Sequence, residues 1–205
     1  MVLCTTAVGK SYNNRLQEFL ESSFSKEFNI FILTDRPELY PSYNTDLYYK
    51  LTFNYFDKIT YGTTVLNRIK EPGFIVDSDD LLNFENLYSK FDTSSSMVQY
   101  LQHWNKEGTF NTILPEHEHF WEFMNDYLLK ENISNKDIYM ILEKVFFLPK
   151  RNYSNFLKYF ESLRYNFEKN SRENGMHKNG VGNGEGVAFG YALLKSKIKH
   201  KKVAS

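Results

Sequence analysis

Apolar positions fall along this chain in short solid runs, separated by stretches in which they recur at helical spacing. Val2 to Ala7 is apolar and β-branched and reads as a first strand. Val8-Gly9-Lys10 interrupts it, and Ser11 is placed to cap a helix. Leu16, Phe19, Leu20 and Phe24 then recur with a helical period, leaving Arg15, Glu18 and Glu21 for the wet face. Ile30 to Leu33 is a second buried strand, closed by Thr34-Asp35-Arg36-Pro37. Strand, helix and strand in this order predict a right-handed βαβ unit with a parallel pair.

Glu38 to Tyr49, rich in Pro, Tyr and Asn, reads as loop, and Leu51 to Phe56 as another strand. Thr63 to Lys70 is helical, with Val65, Leu66 and Ile69 inward. Pro72-Gly73 then punctuates the chain before Phe74-Ile75-Val76, a buried strand that runs directly into Asp77-Ser78-Asp79-Asp80. Met97 to Leu101 and Val145 to Leu148 are further strands, and Phe120 to Leu129 and Phe156 to Phe167 further helices. Asn170 to Gly186 is polar and glycine-rich and reads as loop, followed by a helix over Val187 to Leu194. The pattern predicts an α/β domain over residues 1–194, with a mostly parallel central sheet flanked by helices. Residues 195–205 form a basic tail expected to be flexible.

Composition narrows the function classes. Lys and Arg balance Asp and Glu at 25 each, so no global field recruits nucleic acid or an acidic membrane. The single cysteine, Cys4, excludes an internal disulfide framework and reads as a small buried hydrophobe. No apolar run approaches the roughly 20 residues needed to span a bilayer, and the first residues lack the pattern of a secretory signal. A soluble, cytoplasmic protein is the expectation.

The acidic run is the main candidate for chemistry. Carboxylates just past a parallel strand sit where open α/β sheets bind ligands, in the crevice at the strands' carboxyl ends. Asp77 and Asp79, two apart, can turn toward one hard divalent cation shared with substrate phosphates. The same residues also read as a plain acidic turn, with Asp80 capping a short helix. Glu116-His117-Glu118-His119 has metal-ligand residue types but no third ligand at a set distance, and reads as a surface turn.

In order and spacing, residues 1–85 resemble the family 6 glycosyltransferases, the blood-group-type retaining α-1,3-galactosyl and N-acetylgalactosaminyl transferases. The resemblance runs through Ala7-Val8-Gly9-Lys10, Leu16 to Ser22 and Phe31-Ile32-Leu33-Thr34-Asp35, then through Val65-Leu66-Asn67-Arg68-Ile69-Lys70 ahead of the DxD motif Asp77-Ser78-Asp79. Beyond residue 85 it thins to Gly184-Glu185-Gly186, standing where the family carries Asp-Glu-Ser-His, with the aspartate and histidine replaced.

The resemblance implies a GT-A (Rossmann-like) nucleotide-sugar transferase fold, with residues 1–85 as the nucleotide-binding half and 86–194 as the acceptor half. It implies transfer of a hexose, galactose or N-acetylgalactosamine, from a UDP-sugar to a glycan or other hydroxyl acceptor, with retention. Asp77 and Asp79 would hold Mn²⁺ or Mg²⁺ against the diphosphate, and Ser78 would lie between them. Arg68 would face the phosphates, Ala7, Val8 and Gly9 would meet the uracil, and Glu185 would face the reacting sugar carbon. The basic tail, Lys195 to Lys202, reads either as a lid that closes over the diphosphate or as a solvated, weakly nucleic-acid-binding tail. Two alternatives stand beside this. Asp77-Ser78-Asp79-Asp80-Leu81 superficially resembles the opening of haloacid-dehalogenase-type phosphatases, with Leu81 where a Thr or Ser belongs. A non-catalytic relative that binds a nucleotide or glycan is the other.

Overall fold

The computed structural model describes residues 1–50, 54–102, 118–134, 137–138, 141–173 and 184–203. The strands are β1 (Val2–Ala7), β2 (Asn29–Thr34), β3 (Asn44–Leu47), β4 (Gly73–Val76), β5 (Val98–Gln102), β6 (Ile141–Leu148) and β7 (His200–Val203). They form one seven-stranded sheet in the order β3-β2-β1-β4-β6-β5-β7. All run parallel except β6, which is antiparallel to both β4 and β5. The helices are α1 (Lys10–Glu21), α2 (Tyr55–Ile69), α3 (Phe84–Tyr88), α4 (Glu118–Lys130), α5 (Ser154–Glu173) and α6 (Gly184–Lys195).

The unbroken apolar run of β1 follows from its place at the centre of the sheet, covered on both faces. Val2 and Cys4 point into a core shared with α2, α5 and α6. Leu3, one residue out of phase, points into a second core with Leu16 and Phe19 of α1 and Phe84 of α3. The aromatic content is largely this core. Phe74 meets Phe84, Phe91 and Phe147 with ring centroids at 5.1–5.3 Å, and Phe146 stacks on Phe189 of α6 at 4.4 Å.

Helix α2 shows how the sequence writes a boundary. Asn54 caps it, its side chain accepting from the Phe56 N–H. Phe56, Ile59, Val65 and Leu66 form the buried stripe, and Lys70 in the left-handed region (φ 62°) closes it. Gly62 lets the helix lie close to β4, since a Cβ there would stand 2.5 Å from Ile75 Cγ1. The strand expected over Leu51 to Phe56 is therefore replaced at its end, because Tyr55 and Phe56 open α2; residues 51–53 lie outside the described residues.

Two other expectations change. Glu38 to Tyr49 contains β3, and the expected flexible tail contains β7, paired in parallel with β5 from Val98↔His200 to Leu101↔Val203. Both are edge strands, half wet and polar, so neither carries the apolar run that betrays a central strand. The lysines of β7 are suited to an edge that must not pair further, and the lid role for Lys195–Lys202 falls with the tail's order. The glycine-rich stretch is also shorter than expected: α5 continues to Glu173 and α6 begins at Gly184, with 174–183 outside the described residues. Among the described residues no helix is long and apolar enough to cross a membrane.

Candidate functional site

The topology puts a crevice at one place. The chain leaves β1 for β2 and β3 on one side, and returns to place β4 on the other. The loops at the carboxyl ends of β1 and β4 therefore diverge, which is the switch point at which open α/β sheets bind ligands. Here the crevice is lined by Thr6 of β1 and Val8 just beyond it, Tyr12 of α1, Tyr55 at the start of α2, and Asp77, Ser78 and Asp79 in the turn after β4.

The β1 wall is held by a polar network. Gly9 has φ 94°, a conformation that favours glycine, and its N–H donates to both carboxylate oxygens of Asp35 at 3.1 and 3.2 Å. Asn13 Nδ2 donates to Asp35 Oδ1 at 2.9 Å, while its Oδ1 accepts from Thr34 Oγ1 and from the Tyr40 hydroxyl at 2.7 Å. Burial, helped by the Asp35 charge, pushes the Tyr40 phenol up to about 12, so it remains a donor. Ala7 is buried and in register with Thr34. The Gly9 N–H expected to meet a uracil ring is thus committed to Asp35, and Val8 is the member of that trio that faces the crevice.

On the β4 side each carboxylate has its own cation. The buried Lys58 of α2 donates to Asp77 Oδ2 at 2.6 Å, with the lysine side chain 1% exposed and the aspartate 24%. Arg15 of α1 pairs with Asp79 near the surface. Lys144 of β6 stands 3.4 Å from Asp80, whose carboxyl is raised above its ordinary range by burial, with the lysine opposing. The Asp77 N–H donates to the Lys144 carbonyl at 2.8 Å, which ties the DxD turn to the neighbouring strand. Ser78, between Asp77 and Asp79 in the turn, is buried.

The remaining expected residues divide. Glu185 is buried in the first turn of α6. That helix runs opposite to β1 and β4: Phe189 stacks on Phe146, which pairs with Ile75, and the Lys199 carbonyl beyond the helix accepts from Val98 at the start of β5. Its N-terminus therefore opens at the sheet edge where Asp77 lies. Arg68 does not come there. It is exposed in the last turn of α2, ten residues beyond Lys58 and so about 15 Å further along the helix. Helix α2 is antiparallel to β4, as the Gly62–Ile75 and Leu66–Gly73 proximities show, so Arg68 sits at the opposite edge of the sheet.

Sequence reasoning missed Lys58, Arg15, Tyr12, Tyr55 and Asp35. Asp35 carried a usable signal, an acidic residue directly after a parallel strand, as Asp77 does. Lys58 carried none, because a lysine in a helix ordinarily reads as solvent-facing.

Among the described residues no group of three or more His, Cys, Asp or Glu side chains is arranged to hold a metal ion. Of the Glu116–His119 run, residues 116 and 117 lie outside the described residues, and Glu118 begins α4. A divalent cation would find two carboxylates here, Asp77 and Asp79, each already paired with a cationic side chain, and would need ligand phosphate and water for its other positions. Cys4 is buried, and burial pushes its thiol far up, so it offers no nucleophile. No protein-family model and no curated protein sequence matches this chain. Fold and site thus define an α/β protein with a charged crevice at the switch point of its sheet.

Proposed function

We propose that this crevice receives the diphosphate of a nucleotide-sugar, and that the protein is a retaining glycosyltransferase of the GT-A type. One observation carries the reading. Val8, just after β1, and the Asp77-Ser78-Asp79 turn after β4 line a single crevice at the topological switch point.

Asp77 and Asp79 would hold Mn²⁺ or Mg²⁺ jointly with the diphosphate. When bound, such an ion stabilises the charge that develops on the leaving phosphate. The chain's own residues do the rest. Tyr12 and Tyr55 line the crevice and would stack on a base or sugar. Arg15 stands where it can meet a phosphate, the role the resemblance gives to Arg68. Glu185, at the same edge, supplies a carboxylate for the sugar carbon as its bond to the diphosphate breaks. The transferred hexose is galactose or N-acetylgalactosamine from a UDP-sugar, and the acceptor a glycan or other hydroxyl compound.

The test is calorimetric titration of UDP with and without Mn²⁺, on the wild type and on Asp79→Ala. Binding that requires the metal and is lost in the variant is expected. Absence of UDP binding under every condition would sink the reading, and phosphate release from phosphomonoesters would then be assayed.

A further inference from the structure

The three carboxylates of the turn after β4 are paired one to one with cations. Asp77, Asp79 and Asp80 are each matched by a cation from a different element: Lys58 from α2, Arg15 from α1 and Lys144 from β6. The formal charge of the cluster is therefore zero. Its members also differ in freedom. Arg15 and Asp79 have side chains 41% and 53% exposed, and a side-chain rotation separates them. The Lys58 side chain is 1% exposed and cannot leave.

Lys58 is held from behind. Its neighbour Asp57 is fixed by Arg164 at 2.6 Å, by Lys50 at 2.8 Å and by the Tyr48 hydroxyl at 2.9 Å. The cap residue Asn54 is tied to Glu168 of α5 at 2.9 Å. The first turn of α2 is thus bolted to α5, and the ammonium of Lys58 stays beside Asp77 whatever enters the crevice.

We infer that Lys58 and Arg15 are built-in counter-ions that make the crevice take a divalent cation and a diphosphate as one complex, and take either alone only weakly. The inference rests on the nucleotide-sugar reading and deepens it. A lone divalent cation at Asp77 meets a fixed ammonium a few ångströms away, in a site where repulsion is poorly screened. A lone diphosphate meets the row of carboxylates. The two together bring both signs, so that the cation lies against Asp77 and Asp79 while Arg15 turns from Asp79 to a phosphate oxygen. Lys58 is a positioning residue in this scheme: it touches Asp77, not the ligand.

The experiment is calorimetry with MnCl₂ alone, UDP in EDTA, and UDP with MnCl₂, on the wild type, Lys58→Met, Lys58→Arg and Arg15→Gln. Wild type is expected to bind UDP at least about tenfold more tightly with Mn²⁺ than in EDTA, and Mn²⁺ alone feebly. Lys58→Met should tighten Mn²⁺ alone by about tenfold and weaken UDP in EDTA, opposite signs that a merely structural role does not produce. Lys58→Arg should behave as wild type. Arg15→Gln, at an exposed position that does not threaten folding, should tighten Mn²⁺ alone and weaken UDP in EDTA by a smaller factor. Mn²⁺ alone binding no more tightly in Lys58→Met and Arg15→Gln than in wild type would overturn the inference, as would tight binding of Mn²⁺ alone by wild type. Pyrophosphate in place of UDP separates the two claims. If wild type binds pyrophosphate with Mn²⁺ but never UDP, the nucleotide reading fails while the counter-ion inference stands; if it binds neither, both fail.

Discussion

At its first turn α2 carries Asp57 and Lys58; at its last it carries Arg68, with Lys70 as the cap beyond it. Side-chain chemistry alone favours the far end as the anion-binding one, since a guanidinium matches phosphate better than an ammonium does. The fold decides otherwise. Asp57 and Lys58 are buried and engaged by Arg164, Tyr48, Lys50 and Asp77, while Arg68 and Lys70 lie exposed at the sheet edge away from the crevice. The difference teaches that a charged residue's role here follows from what holds it. A cation desolvated against a carboxylate is fixed in position and strong in its field, and one in water is neither.

The sharpest way to break this comparison is Arg164→Met. It takes the guanidinium from Asp57, Glu161 and Glu168 at once, and should cost about 3 kcal/mol in urea unfolding, because carboxylates that it compensates are left behind. Asn54→Ala removes both the cap bond to the Phe56 N–H and the link to Glu168, and should cost about 1–2 kcal/mol. At the far end the sign reverses. Lys70→Gly should stabilise the protein by about 1 kcal/mol, because Lys70 holds a left-handed conformation that glycine adopts without a Cβ penalty.

The crevice end should also answer to pH where the far end does not. Burial raises the Asp80 carboxyl, so the folded state holds that proton more tightly than the unfolded chain does. Its stabilising contribution is then complete below the ordinary carboxylate range and is lost as pH rises through the raised value. Asp80→Asn should flatten this part of the stability–pH curve, measured by urea midpoints across the acid range, with Lys144 keeping the effect small. Smallest of all is Arg68→Ala, expected to change stability by no more than about 0.5 kcal/mol and to leave UDP titrations unchanged. A large loss of UDP binding in that variant would reverse the comparison.

What the sequence determined by itself is the central machinery. Val2 to Ala7, Ile30 to Leu33 and Phe74 to Val76 are strands where their apolar runs predict them, because strands covered on both faces must be continuously apolar. The acidic turn after β4 was legible for the same reason: a run that abruptly becomes Asp-Ser-Asp-Asp must be leaving the core. Edge strands β3 and β7 were not legible, since a half-wet edge needs no apolar run and favours lysine. Nor was the start of α2, whose first turn exchanges water for ion pairs with residues as distant in sequence as Asp77 and Arg164. Local pattern reports how a segment meets water. Which lysine faces a carboxylate, and which arginine is carried to the wrong edge, was decided only by the direction in which α2 crosses the sheet, because that direction sets which end of a fifteen-residue helix reaches the crevice.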